Sequence, residues 1–455
     1  MKQRKLFGTN GVRGIVNSEF TVDMVTKLAS SSGSYLGKEI AVGRDGRTTS
    51  IMFRDAVIAG LLSVGCNVHD LGSLPTPALQ YGVKYFGLDG GLMITASHNP
   101  PEFNGIKVMA SDGVEVSREQ ETEIEDIYFK GGPDLVSWDN IGSVFEKDSL
   151  HIYRDTVISH VDSEAIREAC LKVAIDPGNG VAAYVAPDIA SSLGCSVYTV
   201  NVDVDGTFPG RSSEPRPDNL SMLIELVKAS GADIGIGFDG DGDRAIFVDE
   251  KGEVHWGDRS FALVAKEYLT NNPGSIVATP VSSSQVISDV VTDLGGKVVW
   301  TKVGSVVVSR KMVDEGIKLG GEENGGIMYG HHIETRDGSI ALVLILEIMA
   351  KKGKPLSQLF GELPQYFQSK ERVTCPNELK RDVLSKLIEK SDAPEVETID
   401  GIKMKYPEGS WVLVRPSGTE PIFRVYSEAA SQMDANVLAN ENKNKLEAII
   451  KELSE

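Results

Sequence analysis

The sequence predicts an α/β fold of three similar domains, followed by a separate C-terminal α+β domain. The first observation is an internal pattern that occurs three times: a short apolar strand, a polar glycine-containing turn, an amphipathic helix and a second strand. The second is a C-terminal segment in which apolar and polar positions alternate before a charged helix. The third is length, because 455 residues exceed the size at which a single hydrophobic core keeps growing.

The three copies of the pattern share their order of elements but few residues. Strands joined by helices of this length form right-handed crossovers, and these place the strands in mostly parallel sheets covered on both faces. The paired strand segments are 39–47 with 61–72, 172–180 with 189–201, and 275–284 with 290–304. After each copy comes a glycine-rich element, at 90–100, 232–244 and 316–326. Each element follows the carboxyl end of a strand, where open α/β sheets bind ligands.

The C-terminal part has a different organisation. From about Phe367 it reads as a strand, a helix, an alternating segment and a final charged helix from Ala435 onwards. That order fits an antiparallel sheet with helices on one face. We therefore expect four domains, at residues 1–149, 150–255, 256–366 and 367–455.

Composition excludes several classes of function. The net charge of −19 and the pI near 4.9 argue against a nucleic-acid or anionic-membrane partner, because both would be repelled. The four cysteines are scattered without paired spacing, so we expect buried free thiols. No stretch is long enough to span a bilayer, and the N-terminal segment lacks the apolar core of a signal peptide. We expect a cytoplasmic protein.

The acidic loop, Asp239–Arg244, has the sequence DGDGDR. Its carboxylates, Asp239, Asp241 and Asp243, alternate with glycines, so their oxygens can converge on a hard cation such as Mg²⁺ or Ca²⁺. An EF-hand is excluded, because Arg244 stands where that motif needs glycine and the flanking segments read as strands. An acidic surface turn is the alternative.

The serine turn, Thr95–Pro101, follows an apolar strand and ends in two prolines. Ser97 in this turn is a weak nucleophile without a base or a metal. His98 is a candidate base, although adjacent side chains commonly point in different directions. A phosphorylated Ser97 would instead place a dianion beside a cation held by the acidic loop. The alternative is a hydroxyl that only satisfies its own turn.

Two further loops carry polar groups next to glycines. The glutamate loop, Gly320–Gly326, presents Glu322, Glu323 and Asn324, which suit the hydroxyl groups of a ligand such as a sugar. A hydrophilic turn is its alternative. The arginine loop, Arg415–Tyr426, offers guanidinium groups, hydroxyls and free amides that could bind phosphate, and a plain arginine-capped turn is its alternative. Its candidate phosphate ligands are Arg415, Ser417, Gly418, Thr419 and Arg424.

Together the four loops resemble the α-D-phosphohexomutase family over essentially the whole chain. The matching motifs, in the order of the family, are TASHNPPEFNGIK, DGDGDR, a GEExG-type loop and RPSGTEP. The resemblance implies four domains around a central cleft, with mixed sheets in the first three. It also implies that Ser97 carries phosphate and that Mg²⁺ is bound by Ser97 and the three aspartates of the acidic loop.

The resemblance assigns roles to further residues. Lys107 matches the general acid/base candidate of the family, and Arg13 and Arg244 match its active-site arginines. Lys302 and Gly304 in the segment TKVG match its sugar-contacting positions. Bacterial members carry Ser where Asn324 stands and His where Gly326 stands, so the glutamate loop is closer to archaeal members.

The implied reaction interconverts a hexose 1-phosphate and a hexose 6-phosphate through phosphoserine and a hexose 1,6-bisphosphate, which also serves as activator. The segments FGTNGVRG and TKVG resemble phosphoglucosamine mutases, so we favour glucosamine phosphate over the broad hexose specificity of phosphomannomutase/phosphoglucomutases. The phosphosugar is the expected partner of a monomer or homodimer. A metal-dependent sugar phosphatase and a non-catalytic phosphosugar sensor are the alternatives from other classes.

Overall fold

The computed structural model describes residues 6–418 and 420–454. In this part of the chain it contains one six-stranded and three five-stranded sheets. The predicted fold class is confirmed: three units have mixed sheets with helices, and the fourth has an antiparallel sheet. Within the same ranges, none of the helices has the length and apolar character that crossing a membrane requires.

The first sheet contains the segment that leads to the serine turn. Its unit comprises β1 (Val12–Ile15), α1 (Val22–Leu36), β2 (Glu39–Arg44), α2 (Ser50–Ser63), β3 (Asn67–Ser73), α3 (Thr76–Phe86), β4 (Gly90–Ile94), β5 (Phe103–Ala110), α4 (Arg118–Phe129) and β6 (Val144–Glu146). The strand order is β1-β5-β4-β2-β3-β6. Strands β4, β2, β3 and β6 are parallel, whereas β5 is antiparallel to both of its neighbours.

The second sheet ends in the hairpin that carries the acidic loop. Its unit comprises α5 (Leu150–Ser159), α6 (Ser163–Ala169), β7 (Lys172–Asp176), α7 (Ala186–Ser192), β8 (Ser196–Thr199), α8 (Ser221–Ser230), β9 (Ile234–Phe238), β10 (Ala245–Asp249) and β11 (Val254–His255). The order is β11-β10-β9-β7-β8. Strand β9 is parallel to β7 and antiparallel to β10.

The third sheet places the glutamate loop between two antiparallel strands. Its unit comprises α9 (Gly257–Asn271), β12 (Ile276–Pro280), α10 (Gln285–Asp293), β13 (Lys297–Thr301), α11 (Ser305–Glu315), β14 (Leu319–Gly321), β15 (Ile327–Tyr329), β16 (Ile333–Arg336), α12 (Gly338–Lys352) and α13 (Leu356–Gly361). The order is β13-β12-β14-β15-β16. Short β14 and β15 pair antiparallel on either side of the loop.

The fourth sheet is antiparallel throughout. Its unit comprises β17 (Phe367–Thr374), α14 (Lys380–Glu389), β18 (Glu395–Glu397), β19 (Ile402–Lys405), β20 (Trp411–Pro416), β21 (Ile422–Ala429) and α15 (Gln432–Ser454). The order is β17-β21-β20-β19-β18. Helix α15 begins at Gln432, before the expected Ala435, because the Ser431 hydroxyl accepts the Asp434 N–H at 3.1 Å and caps the first turn. The domain boundaries expected near 149, 255 and 366 stay predictions.

One hydrophobic core joins the first three sheets. It includes Met93 of β4, Ile236 of β9 and Val277 of β12, all fully buried. Helix α12 is apolar around most of its circumference and lies within this core. Asp337 caps that helix by accepting the N–H groups of Ser339 and Ile340 at 2.8 and 3.0 Å. The three sheets therefore hold their loops in fixed relative positions.

The fourth unit is anchored to the third by polar contacts and a small apolar cluster. The Lys403 ammonium donates to the Val281 carbonyl at 2.8 Å and lies 4.1 Å from the centre of the Trp411 ring. The buried Glu428 carboxylate accepts the Gln285 N–H at 2.7 Å. These contacts fix the arginine loop relative to the third sheet.

The cysteine expectation is only partly right. The thiols of Cys66, Cys195 and Cys375 are free and buried, whereas Cys170 is free but exposed. Cys170 stands at the end of α6 with a left-handed φ of 50°, which directs the chain out of the helix at the surface.

Candidate active site

Ser97 stands in the turn after β4, in a backbone conformation that needs support. Its φ of 52° lies in the left-handed region, and strain of this kind persists where surrounding contacts enforce it. Arg47 provides such contacts, because its Nη2 atom donates to the carbonyls of Ser97 and Asn99 at 2.9 and 2.6 Å. Its Nη1 atom donates to the Pro100 carbonyl at 2.7 Å. The protein's own contacts therefore hold the serine turn rigid.

Arg47 was missed by sequence reasoning. It is 1% exposed, and its Nε atom is paired with the Asp45 carboxylate at 3.2 Å. The signal was present in the segment GRDGR, where charged residues follow strand β2 directly. Because β2 and β4 are parallel neighbours, the turns after both strands meet at the same sheet edge.

The acidic loop joins β9 to β10, as the strand-like flanks predicted. The carboxylates of Asp239, Asp241 and Asp243 are buried, and one oxygen atom of each lies within 4.8 Å of the other two. Burial and the neighbouring Asp243 raise the pKa of Asp239 to about 7. Like charges at this separation in a low-dielectric site are unfavourable unless cations balance them.

The acidic loop fits a divalent cation. The Oδ1 atoms of Asp241 and Asp243 are buried and have no hydrogen-bond partner. Unsatisfied buried carboxylate oxygens are costly, and they are also the ligands that Mg²⁺ and Ca²⁺ prefer. The charge and burial of the loop, and the two Oδ1 atoms without a hydrogen bond, all agree with a bound cation.

The serine turn and the acidic loop are in direct contact. The Ser97 hydroxyl donates to Asp239 Oδ2 at 2.9 Å, although the two residues belong to different sheets. Gly240 is required for this approach, because a Cβ atom there would lie 2.6 Å from the Ser97 carbonyl oxygen. The structure thus places the predicted phosphate carrier against the predicted metal ligands.

Lys107 is brought to the same place by strand pairing. It lies opposite Met93 in the antiparallel β4–β5 pair, so its side chain starts beside the strand that leads to the serine turn. Its ammonium contacts Asp241 Oδ2 at 2.7 Å and Asp243 Oδ2 at 2.8 Å, without solvent exposure. Burial alone would lower the pKa of Lys107, but the two carboxylates outweigh it and raise that pKa. Lys107 is therefore a cation that can donate a proton.

His98 lies beside the serine hydroxyl after all. Its Nδ1 atom is 3.4 Å from Ser97 Oγ, at the long end of hydrogen-bond range. Burial, followed by the charges of Arg244 and Arg13, holds the pKa of His98 well below its ordinary value. The imidazole is therefore neutral at physiological pH, and its lowered pKa makes it a weak base that readily passes a proton on.

The two predicted arginines border the serine turn. Arg244 Nε donates to Asp239 Oδ2 at 3.0 Å. Arg13 Nη1 donates to the Asn99 side-chain oxygen at 2.8 Å, and its Nε atom is buried without a partner. Burial lowers the pKa of Arg13 to about 10. Both guanidinium groups remain cationic at neutral pH and suit an anionic ligand.

The glutamate loop contributes Glu322 to the site, whereas Asn324 and Glu323 have other contacts. Glu322 is 4% exposed, and it is joined to the acidic loop by Arg336, which sequence reasoning missed. The Asn324 side-chain oxygen accepts the Gly326 N–H at 3.2 Å within its own turn. Glu323 pairs with Lys370 of β17 at 2.5 Å. The sequence offered one signal for Arg336, which is its position directly before Asp337, the residue that caps α12.

The segment TKVG follows β13 and is linked to the arginine loop. Lys302 is exposed, and Gly304 is the N-cap residue directly before helix α11, with a φ of 136° that favours glycine. Between them, the Val303 N–H donates to Asp400 Oδ2 at 3.2 Å. The same Asp400 oxygen accepts Arg415 Nε at 2.8 Å. One carboxylate therefore connects the predicted sugar contacts with the predicted phosphate contacts.

The arginine loop forms a turn stabilised by its own groups. The Ser417 hydroxyl accepts the Glu420 N–H at 3.1 Å, and Arg424 Nη2 donates to the Glu420 carboxylate at 3.0 Å. The Lys380 ammonium, which sequence reasoning missed, donates to the Ser417 and Glu420 carbonyls at 2.7 and 2.5 Å. Space around Gly418 is open. Thr419 lies outside the described residues.

Four protein-family models match the chain in consecutive segments. Their descriptions are phosphoglucomutase/phosphomannomutase alpha/beta/alpha domain I at residues 4–134, domain II at 151–252, domain III at 256–367 and the C-terminal domain at 372–445. Together they cover most of the chain in the order of its four sheets.

Individual relatives are similar to this chain along almost their entire length. A phosphoglucosamine/phosphogalactosamine mutase of Sulfurisphaera tokodaii is 44% identical, covering 96% of this chain and 98% of its own. A phosphoglucomutase/phosphomannomutase of Thermococcus kodakarensis is 42% identical, covering 95% and 96%. The crystal structure of a phosphoglucomutase/phosphomannomutase family protein from Burkholderia thailandensis has a TM-score of 0.89 at 28% identity, covering 98% and 97%.

The predicted α-D-phosphohexomutase resemblance and the predicted isomerase class are confirmed by these matches. The names of the relatives include phosphoglucosamine mutase and phosphoglucomutase/phosphomannomutase, so the comparisons are compatible with both predicted substrates, glucosamine phosphate and the wider hexose phosphates. With matches to all four domains and relatives above 40% identity, the chain belongs to the phosphoglucomutase/phosphomannomutase family.

Proposed function

We propose that the protein interconverts glucosamine 6-phosphate and glucosamine 1-phosphate, with phosphorylated Ser97 as the phosphate carrier. The observation that carries this proposal is the 2.9 Å contact between Ser97 Oγ and the buried carboxylate cluster of the acidic loop. An unmodified hydroxyl that donates to one of three buried carboxylates leaves most of their negative charge unbalanced. Once phosphorylated and next to a divalent cation, it becomes a charge-balanced phosphoryl donor.

The residues around Ser97 support transfer in both directions. In the first transfer, the O6 oxygen of a hexose 1-phosphate bonds to phosphorus as the phosphorus bond to Ser97 Oγ breaks. The O6 proton passes to neutral His98, which lies beside Ser97 Oγ and can deliver a proton to that departing oxygen. In the second transfer, Ser97 Oγ bonds to the phosphorus at C1 as the bond between that phosphorus and O1 breaks. The Ser97 proton passes to His98, Lys107 supplies a proton to the departing O1 oxygen, and a proton then moves from His98 to Lys107 to restore both groups. The net result is hexose 6-phosphate and a phosphorylated serine.

The cation of the site would be Mg²⁺, held by Asp239, Asp241, Asp243 and a phosphoryl oxygen on Ser97. When bound, Mg²⁺ supplies neutralisation of the negative charge that develops on the phosphoryl oxygens. Arg47 holds the serine turn rigid during both transfers, so little reorganisation is needed. Arg244, fixed by Asp239, adds a permanent positive charge beside the turn.

The sugar and the second phosphate would bind on the side of the third and fourth units. Glu322 offers a carboxylate to a sugar hydroxyl or to the ammonium of an amino sugar, with Lys302 and Gly304 as further contacts. Arg415, Ser417, Gly418, Thr419 and Arg424 would bind the phosphate that is not being transferred. Because the bisphosphate must present either end to Ser97, the arginine loop must accept both orientations.

The substrate assignment depends on the relatives and on two segments. The phosphoglucosamine/phosphogalactosamine mutase relative and the segments FGTNGVRG and TKVG support glucosamine phosphate. The relative named phosphoglucomutase/phosphomannomutase, at nearly equal identity, supports a broad hexose specificity as the second candidate. The hexose 1,6-bisphosphate would act as intermediate and activator.

A panel assay tests the substrate. The 1-phosphates of glucosamine, glucose, mannose and N-acetylglucosamine are supplied with Mg²⁺ and catalytic glucose 1,6-bisphosphate. The highest kcat/KM for glucosamine 1-phosphate would support the proposal, and the highest value for glucose or mannose would replace it with the broad hexose reading. Inorganic phosphate as the main product would indicate a phosphatase, and tight binding without turnover would indicate a sensor.

Asp400 is expected to control phosphate binding through Arg415. Replacing Asp400 with Asn removes the charge that fixes Arg415 Nε and weakens the link to the Val303 N–H. Because this link orients a binding group and not a reacting one, KM for the sugar phosphate is expected to rise about tenfold, or about 1.4 kcal/mol, with a smaller change in kcat. Steady-state kinetics of the variant and of wild type measure the change in KM and the change in kcat separately.

The matched control is Asp392→Asn, which removes an exposed carboxylate of the same unit, 3.7 Å from Lys445. It should leave KM unchanged. An unchanged KM for Asp400→Asn, or a loss confined to kcat, would contradict the proposed role.

We propose a cytoplasmic enzyme that acts on a small phosphosugar as a monomer or homodimer. The net charge of −19 disfavours nucleic acid and anionic membranes as partners.

A further inference from the structure

Arg336 joins the acidic loop to the glutamate loop through its side chain. It is the last residue of β16, and its side chain is 10% exposed. Its Nη2 atom contacts Asp243 Oδ2 at 2.6 Å, and its Nη1 atom contacts Glu322 Oε2 at 3.1 Å. The guanidinium group therefore lies between the acidic loop and the glutamate loop.

Gly326 leaves the space that Arg336 fills. A Cβ atom at position 326 would lie 2.3 Å from Arg336 Cδ and 2.7 Å from Cγ, closer than non-bonded atoms tolerate. A side chain at position 326 and the observed Arg336 conformation therefore exclude each other. The cationic group at this point of the glutamate loop comes from β16 and not from the loop itself.

Arg336 is equipped to bind an anion. A guanidinium group has five N–H donors in a plane, and Asp243 and Glu322 engage only part of them. Arginine stays charged at physiological pH, so the group is a permanent cation between the phosphoryl-transfer centre and the predicted sugar contacts.

We propose that Arg336 is a catalytic residue that binds the phosphoryl oxygens of the sugar phosphate between the acidic loop and the glutamate loop. This inference rests on the proposed mutase function. Bidentate binding by a planar guanidinium orients a phosphoryl group and offsets the charge that develops during transfer. At the same time, the Nη1 contact orients Glu322 towards the sugar.

Two substitutions test the charge and the planar shape of the Arg336 guanidinium group separately. Arg336→Met keeps most of the side-chain volume but loses the cation, and kcat is expected to fall about 100-fold, the usual cost of one lost transition-state contact. Arg336→Lys retains the charge without the planar fork, so its kcat should lie between those of Arg336→Met and wild type. The rate at which glucose 1,6-bisphosphate phosphorylates the enzyme, followed by intact mass, should fall in parallel.

A compensating substitution tests the position of the group. Gly326→His alone should lower kcat, because the new side chain collides with Arg336. In an Arg336→Ala background, which removes the colliding Cγ and Cδ atoms, Gly326→His should instead raise kcat at least about fivefold above Arg336→Ala alone, because an imidazole restores a donor at the same place. Gly326→Leu in the Arg336→Ala background fills the space without a donor and should give no such rise, whereas a purely structural role of Arg336 predicts equal rescue by both side chains.

Arg54→Met is the matched control. Arg54 pairs with the buried Asp70 carboxylate in the first unit, so its loss should lower thermal stability without changing kcat. The inference is overturned if Arg336→Met retains kcat and the phosphorylation rate within threefold of wild type, or if Gly326→His is harmful in both backgrounds. If wild type itself shows no mutase turnover with any hexose, the proposed function fails instead.

Discussion

Ser97→Ala is expected to reduce mutase turnover by about 10⁴-fold or more, the scale of loss when an enzyme loses its nucleophile. The substitution removes the atom that carries the phosphoryl group, and among the described residues no other hydroxyl is hydrogen-bonded to the Asp239 carboxylate. The variant should fold normally. Alanine is no more strained than serine at a φ of 52°, and Asp239 keeps its contact with Arg244. The free energy of unfolding should change by less than about 2 kcal/mol, the worth of one hydrogen bond to a charged group.

The measurement is a coupled assay of hexose 6-phosphate formation, together with thermal unfolding. Ser31→Ala is the control, because Ser31 is fully buried in the same unit and its hydroxyl bonds only the Lys27 carbonyl within α1. This variant should turn over like wild type. Turnover by Ser97→Ala within tenfold of wild type would exclude Ser97 as the carrier.

Asp241→Asn is expected to give the second-largest effect, through the cation. Thr76 Oγ1 and Lys107 Nζ both bind Asp241 Oδ2, whereas Oδ1 has no partner. The asparagine oxygen would accept the hydrogen bonds of Thr76 and Lys107. Its NH₂ group would then point to the place where a cation needs an acceptor. The Mg²⁺ concentration for half-maximal turnover should rise at least about tenfold, and kcat at saturating Mg²⁺ should fall about 100-fold.

A titration of turnover with Mg²⁺, after removal of metal with a chelator, measures this change. Asp233→Asn is the matched control, because the Asp233 carboxylate accepts the Lys172 N–H at 2.8 Å outside the site. It should leave the titration midpoint unchanged. A midpoint for Asp241→Asn that equals that of wild type would show that this carboxylate is not a metal ligand.

The fold was predictable from sequence because its signals are local and repeated. The strand and helix pattern of each α/β unit lies within a few dozen residues, and the strand-like segments that flank the acidic loop are sufficient to exclude an EF-hand. The start of α15 was misplaced because its cap is a single serine hydroxyl. The exposure of Cys170 was missed because burial depends on how a helix end meets the surface, which local sequence does not contain.

The site was predictable only where its residues stand in motifs. Ser97, Lys107 and the acidic loop have recognisable neighbours, and the structure brings them into direct contact. Arg47, Arg336 and Lys380 were missed because each acts at a distance in sequence, through carbonyl groups or carboxylates of another loop. A single arginine after a strand has no local feature that distinguishes it from a surface charge. Its role becomes visible only when the partner loop is placed beside it.

The most direct test of phosphoryl transfer through Ser97 is the phosphorylation state of the protein during turnover. Wild type is incubated with glucose 1,6-bisphosphate and Mg²⁺, and the modified residue is mapped by peptide mass spectrometry before and after an excess of hexose 1-phosphate is added. We expect a single phosphoryl group on Ser97. If the glucose 1,6-bisphosphate carries ¹⁸O in its phosphates and the hexose 1-phosphate does not, the ¹⁸O label should leave Ser97 for the sugar and an unlabelled phosphoryl group should replace it. Turnover without phosphorylated Ser97, or with a stable phosphate on another residue, would contradict the proposed mechanism.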